Sequence, residues 1–290
     1  ISKAVDWVRH SDTASRELNT MPQWAGSCWY YLRYCDPTND EHFIGEDAER
    51  YWCGGPGVRG GVDLYVGGTE HAVLHLLYSR FWHKVLFDLG HVSTPEPFQR
   101  LVNQGIILGA DGQKMSKSRG NVVNPDDVID AYGADAFRCY EMFMGPLDQM
   151  KPWSTTGVEG VSRFLAGGWG VMMRENQGGV WQVAKEVVEC EMSAAQRKVV
   201  HLSIKKVTED IEAMSFNTAI SQLMIFVNAF TGEELRSREA MRLLLILLNP
   251  MAPHITEELW ERLGFEGRVA GASWPEWNEA FLVESELELV

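Results

Sequence analysis

Apolar residues along this chain repeat with two different periods. In the first half, short runs rich in β-branched and aromatic residues alternate with helical patterns. "VDLYVGG" (62–68) reads as a buried strand ending in a glycine turn. "EHAVLHLLYSRFWHKVLFDLG" (70–90) reads as a helix closed by Gly90, and "RLVNQGIIL" (100–108) as the next strand candidate. Strand, glycine turn, helix, strand is the order of a parallel α/β sheet. In such sheets ligands sit beyond the carboxyl ends of the strands.

After about residue 155 the strand signals fade. In "SAAQRKVVHLSIKKVTEDIEAM" (193–214), Ser193 suits an N-cap, and Val200, Ile204, Val207, Ile211 and Met214 form one helical stripe. Further helices are expected over 215–230, over 238–250 with Pro250 as the stop, and over 255–264 with Gly264 as the stop. This half reads as an antiparallel helix bundle.

Composition adds limits. Lys and Arg number 26 against 40 Asp and Glu, a formal net charge of −14 over 290 residues. That argues against nonspecific wrapping of nucleic acid, although local basic faces still bind phosphates. Five cysteines (Cys28, Cys35, Cys53, Cys139 and Cys190) make no CxxC pair. They read as free thiols of a reducing compartment, with no metal site expected. The longest apolar run, "LLLILL" (243–248), falls far short of the roughly 18 residues a membrane span needs. We expect a cytoplasmic protein with no membrane partner. The chain begins at Ile1, and its first residues do not read as the start of a compact domain.

The densest positive charge stands in "GADGQKMSKSRGN" (109–121), and "NPDDVIDAYG" follows. Asn124 suits an N-cap, Pro125 the first helical position, and Asp126 and Asp127 the first turn. The lysine run is therefore a loop leading into a helix. Its glycines and serines permit several backbone states. Lys114 and Lys117 can face one polyanion with Ser116 and Ser118 as further donors, which suits a loop closing on a triphosphate. A solvated basic turn is the plain alternative. A Walker-type GxxxxGK[ST] loop does not occur.

Lys-Met-Ser-Lys-Ser resembles the second signature of class I aminoacyl-tRNA synthetases. Within that class, "GSCWYYLRY" (26–34), "DLYVGGTEHAVLHLLYSRFWHKVLFDLG" (63–90), "YGADAFRCYEMFMGP" (132–146) and "NPMAPHITEELW" (249–260) resemble the leucyl enzymes in that order. "EHAVLHLLY" is the most diagnostic stretch and disfavours the isoleucyl, valyl and methionyl enzymes.

The resemblance implies α/β plus all-α architecture. It makes 1–155 the second half of a Rossmann-like catalytic domain, carrying the lysine loop at 109–121. A helical anticodon-binding-type domain follows at 156–268, and 269–290 is a tail. It implies leucine–tRNA ligase chemistry, in which ATP and leucine give leucyl-adenylate and leucine then passes to tRNA(Leu). Catalytic roles fall to Lys114 and Lys117. ATP contacts fall to Gly67, Gly68, Glu70, Gln104, Met115, Ser116 and Ser118, with Mg²⁺ bridging the phosphates. The leucine pocket falls to Trp24, Ser27, Tyr30, His71 and His75. Glu70 also reads as an acid favoured at a helix N-terminus. His71 and His75 also read as packing, or as a zinc pair without a third ligand. Arg138, Arg197, Lys198, Lys205 and Lys206 are candidates for tRNA phosphates, or members of a solvated helix face. The tryptophans after 270 read as packing.

The pattern is also broken. His-x-Gly-His, the first signature of the class, is absent from these 290 residues. The chain therefore resembles a fragment, or one subunit whose N-terminal catalytic half comes from a separate chain. Alone it is expected not to activate leucine. The rival function is a tRNA-binding or regulatory module without catalysis. "CGGPGVRGG" (53–61) reads as a loop insertion of no assigned purpose.

Overall fold

The computed structural model describes residues 3–18, 23–54, 57 and 60–282. Ile1, part of the 53–61 insertion and the last eight residues of the tail lie outside that set. Two compact units divide the chain, Ile1–Gly105 and Ile106–Val290.

The first unit carries α1 (Val5–Val8), α2 (Gln23–Ser27), α3 (Tyr30–Arg33), α4 (Glu46–Trp52), β1 (Gly60–Gly68), α5 (His75–Asp88) and β2 (Glu96–Gln104). β1 and β2 pair in parallel from Gly60↔Glu96 to Gly68↔Gln104, and α5 is the crossover between them. Gly60 permits this pairing, because a Cβ there would fall 2.6 Å from the backbone of Phe98 and Gln99. A short 3-10 turn, Thr69–His71, follows β1, so α5 begins later than the apolar period suggested. The core gathers Tyr31, Leu32, Ile44, Cys53 and Val92. His83 is fully buried beside it. Its Nε2 lies 2.9 Å from the Thr94 carbonyl, which can only accept, so Nε2 carries the proton. Nδ1 is then bare and accepts from the Tyr31 hydroxyl at 2.7 Å. At the rim, Arg80 grips Glu96 with two bonds of 2.9 Å, and Lys84 lies 2.9 Å from the same carboxylate.

The second unit carries β3 (Ile107–Leu108), α6 (Pro125–Tyr132), α7 (Ala134–Phe143), β4 (Lys151–Pro152), α8 (Thr155–Met172), β5 (Met173–Glu175), β6 (Trp181–Val183), β7 (Val187–Val188), α9 (Ala194–Glu212), α10 (Phe216–Thr231), β8 (Arg236–Ser237), α11 (Arg238–Leu248) and α12 (Pro253–Arg262). The strand expected over 100–108 is thus two: β2 ends at Gln104, and β3 pairs with β4 instead. β5 and β6 form a hairpin that the apolar pattern did not announce. Two caps follow local chemistry. The Ser193 side chain accepts from Gln196 N–H at the start of α9, and Asn124 accepts from Asp126 N–H at the start of α6.

α10 packs on α9, α8 and α7. α11 is buried continuously from Leu243 to Leu248, because its apolar run leaves no polar face there. Val200, Ile204 and Val207 of the α9 stripe join Phe226, Phe230, Leu244 and Leu245 in one core. Distant segments are tied by polar side chains. Asp135 of α7 accepts from the N–H of Ile255 at 2.7 Å and from His254 Nδ1 at 2.8 Å, so it caps α12. Buried Arg236 donates to the carbonyls of Phe230 (2.8 Å), Val171 (2.7 Å) and Thr231 (3.1 Å). Those carbonyls stand in the last turns of α10 and α8, where no intrahelical donor remains. Among the described residues, no helix is long and apolar enough to cross a membrane.

Candidate active-site residues

In the first unit, the carboxyl ends of β1 and β2 lie side by side, with Gly67 opposite Asn103 and Gly68 opposite Gln104. Apart from its chain neighbours, no atom of the described residues lies within 4 Å of a Cβ built on Gly67, so its backbone is open to a ligand. A Cβ on Gly68 would fall 2.3 Å from Glu70 Oε2. The Glu70 carboxylate therefore folds back over the strand end into space that only glycine leaves clear. Gln104, the last residue of β2, is exposed.

Beside this turn is a cavity of about 360 Å³ lined by Trp24, Tyr30, Tyr65, Val66, Gly67, Gly68, His71, His75 and Leu76. Trp24 meets His71 edge to face with centroids 5.7 Å apart. Tyr30 stacks on His75, also at 5.7 Å. The His71 and His75 rings are 6.3 Å apart although α5 starts only at His75. Burial, and then neighbouring His71, hold the His75 imidazole below its ordinary pKa. Ser27 ends α2, is exposed and is not part of the cavity wall.

Tyr65 is a cavity residue that motif reading did not single out. Its hydroxyl lies 2.7 Å from His75 Nε2 and hydrogen-bonds the Tyr30 hydroxyl. Its ring stacks on Phe98 at 3.9 Å. One signal was present: Tyr65 lies two residues before Gly67, and alternate strand residues share a face. Among the described residues, His71 Nδ1 and Asn103 Oδ1 are buried without a hydrogen-bond partner. Both stand at this end of the unit, where a bound polar group would satisfy them.

In the second unit the lysine loop has a defined shape. Leu108 and Lys114 form an antiparallel bridge, and Gly109 N–H donates to the Gln113 carbonyl at 2.8 Å. Lys117–Arg119 is one 3-10 turn, closed by Gly120 at φ +68°. The Ser116 and Ser118 hydroxyls lie 3.2 Å apart. Met115 packs its side chain on the main core. Lys114 and Lys117 are exposed, and neither forms an ion pair among the described residues.

The candidate tRNA cations are mostly engaged within their own unit. Arg138 donates to the carbonyls of Met251 (3.1 Å) and Pro250 (3.0 Å) at the α11–α12 turn. Arg197 lies over the Phe281 ring at 5.7 Å, and Lys205 pairs with Glu279 at 2.9 Å. Lys206 pairs with Asp210 of its own helix at 2.6 Å. Lys198 is exposed. The tail accounts for several of these contacts. Trp274 Nε1 donates to Thr208 Oγ1 at 2.8 Å, and Asn278 N–H donates to His201 Nδ1 at 3.1 Å, so residues 274–281 run along α9.

The cysteines are free. Burial pushes the Cys28 thiol up to about 11 and those of Cys53 and Cys139 up to about 12, so these three stay protonated and unreactive near neutral pH.

Residues 76–151 match the profile of class I tRNA synthetases (I, L, M and V), and residues 197–290 match the anticodon-binding domain of tRNA ligase. A leucine–tRNA ligase of Leptospira biflexa is 50% identical over 100% of this chain and 33% of its own length. One from Chlorobaculum tepidum is 58% identical over 90% of this chain and 31% of its own length. Among solved structures, the agnB2 LeuRS of Agrobacterium radiobacter K84, in a ternary LeuRS-tRNA-LeuAMS complex, matches with TM-score 0.78 and 32% identity. That match covers 97% of this chain and 37% of the other. A Mycobacterium tuberculosis methionyl-tRNA synthetase shares the fold at TM-score 0.59 and 17% identity, over 83% of this chain and 50% of its own. This chain spans about a third of the length of the curated relatives it matches. With both profiles and these relatives in agreement, the chain belongs to the leucyl branch of the class I aminoacyl-tRNA synthetase family.

Proposed function

We propose that this chain supplies the leucine cavity, part of the nucleotide site and the lysine flap of a leucine–tRNA ligase. The observation that carries the reading is the cavity of about 360 Å³, which brings Trp24, Tyr30, His71 and His75 together beside Gly67 and Gly68. A branched aliphatic side chain suits aromatic walls with few polar groups. The open glycine backbone beside it suits the nucleotide end of an adenylate.

In this reading β1, α5 and β2 belong to the second half of a Rossmann-like sheet. The 156–268 helices and the tail contact tRNA(Leu), with Lys198 and the other α9 cations at the phosphates. The reactants are leucine, tRNA and ATP carried with Mg²⁺ on its phosphates. Glu70 accepts from the ribose hydroxyls, and Gln104 and the Met115 backbone flank the adenine. The leucine carboxylate attacks the α-phosphorus, the bond to the β-phosphate oxygen breaks, and pyrophosphate leaves. No protein base is needed, because the nucleophile is already ionised. Lys114 and Lys117, with the Ser116 and Ser118 hydroxyls, stabilise the charge gathering on pyrophosphate. A terminal tRNA hydroxyl then attacks the leucyl carbonyl and AMP leaves. A pure tRNA-binding module has no chemical use for the lysine flap or Glu70.

The test is a chimera in which residues 1–290 replace the aligned stretch of the Leptospira biflexa relative. ATP–pyrophosphate exchange that depends on leucine and not on isoleucine, valine or methionine is the expected result. Exchange driven equally by those amino acids, or none in a folded chimera, overturns the reading.

A further inference from the structure

The lysine flap is held in shape by two residues that bring it no positive charge. Asn121 Nδ2 donates to both carboxylate oxygens of Asp111, at 3.1 and 3.2 Å. Asp111 Oδ1 also accepts from the Gln113 N–H at 3.0 Å. Asn121 Oδ1 accepts from the Ser116 N–H at 2.9 Å, and its Nδ2 reaches the Lys114 carbonyl at 3.4 Å. One amide thus ties the entry limb, the carbonyl of the first lysine and an N–H lying between the two lysines.

The surrounding glycines belong to the same device. A Cβ on Gly109 would fall 2.7 Å from Asp111 Oδ1 and 2.8 Å from Asn121 Nδ2, so the contact occupies the space a side chain there would fill. Gly120, at φ +68°, turns the chain so that Asn121 returns to it. These N–H donors hold the Asp111 carboxyl below its ordinary pKa, the Gln113 backbone first and the Asn121 amide second. A carboxylate is unfavourable beside a polyphosphate unless its charge is spent on fixed donors, as it is here.

We propose that Asp111 and Asn121 are positioning residues of the lysine flap: their clasp pre-orders the backbone from Lys114 to Ser118, so that both ammonium groups meet the departing pyrophosphate without being ordered during the reaction. This rests on the adenylate-forming reading above and adds two residues that touch no substrate in it. The substitution Asp111→Asn keeps an acceptor for the Gln113 N–H and for Asn121, and Asp111→Ala removes it. The two variants therefore separate clasp geometry from charge.

Hydrogen–deuterium exchange on the 290-residue chain reads the clasp without any activity. Asn121→Ala and Asp111→Ala are expected to speed exchange at Ser116 roughly tenfold. Trypsin cleavage after Lys114 and Lys117 should quicken as well, with the helical melting midpoint unchanged. Asp111→Asn restores protection. In the chimera, Asn121→Ala lowers kcat on the order of 100-fold with little change in KM for ATP, and Asp111→Asn recovers most of the loss. Unchanged Ser116 exchange in Asn121→Ala overturns the proposal. So does a loss confined to KM, or Asp111→Asn as impaired as Asp111→Ala. Lost protection with unchanged kcat overturns the positioning role alone. An unsubstituted chimera that forms no leucyl-adenylate overturns the reading beneath it.

Discussion

Met214, expected on the α9 stripe, lies two residues past the helix in the left-handed region, at φ +61°, the one positive φ among described non-glycine residues. The turn is fixed by Ser215 N–H on the Asp210 carbonyl at 2.7 Å and Met214 N–H on Ile211 at 3.1 Å. Glycine adopts this conformation without the Cβ clash. Met214→Gly should therefore stabilise the second unit by up to about 1 kcal/mol, read as a raised thermal midpoint; a lowered midpoint means that the methionine packs to more effect than its backbone costs. Histidines set a pH response in the first unit. His75 and His83 both have pKa values lowered by burial. Below about pH 6.5 the unfolded chain binds protons that the folded unit refuses, so stability falls with pH from there downward. Urea midpoints of the first unit at pH 7.5 and 5.5 measure this. His83→Gln should flatten the slope, and an unchanged slope contradicts the assignment of His83 as a neutral donor–acceptor.

At the scale of elements, Arg236 is the clearest single tie. Its guanidinium donates to three carbonyls at the ends of α8 and α10, and burial lowers its pKa, with no carboxylate in hydrogen-bond contact among the described residues. Arg236→Met strips the buried Val171 carbonyl of its donor, while Phe230 keeps the Gly232 and Glu233 N–H groups and Thr231 faces solvent, so it should cost the second unit about 2 kcal/mol in chemical denaturation. A loss under about 1 kcal/mol would show that water replaces the guanidinium. Lys205 and Arg197 of α9 contact the 274–281 segment, so their availability to a polyanion depends on that segment. In the first unit, Val73, Leu77 and Phe81 leave an apolar stripe on and before α5 exposed, and Leu64 and Val66 do the same on β1. Parallel strands are ordinarily covered on both faces, which makes these surfaces the sticky part of the unit in isolation.

Across the whole molecule, what was legible in the sequence is what is local. The Ser193 and Asn124 caps, the buried α9 stripe and the crossover between two parallel strands follow from residues near in sequence. The pairings β3–β4 and β7–β8 were not legible, because each joins two-residue strands far apart in the chain. Arg138, a candidate for tRNA phosphates or a solvated face in the sequence, is spent on backbone carbonyls in the fold, as is Arg236. His71, His75, Tyr30 and Trp24 share one cavity, whereas Tyr65 was hidden because a tyrosine inside a strand reads as packing. The lysine run looked too glycine-rich to hold a shape, and Asn121 and Asp111 hold it through contacts that spacing does not reveal. Under the proposed function, the cavity of the first unit takes leucine and the second unit supplies the lysine flap. The proposed stabilisation of departing pyrophosphate by Lys114 and Lys117 is measured by single-turnover formation of leucyl-adenylate in the chimera carrying Lys114→Ala and Lys117→Ala together. The rate should fall on the order of 10²–10³-fold with leucine affinity kept; a rate equal to that of the unsubstituted chimera rules the lysines out of that role.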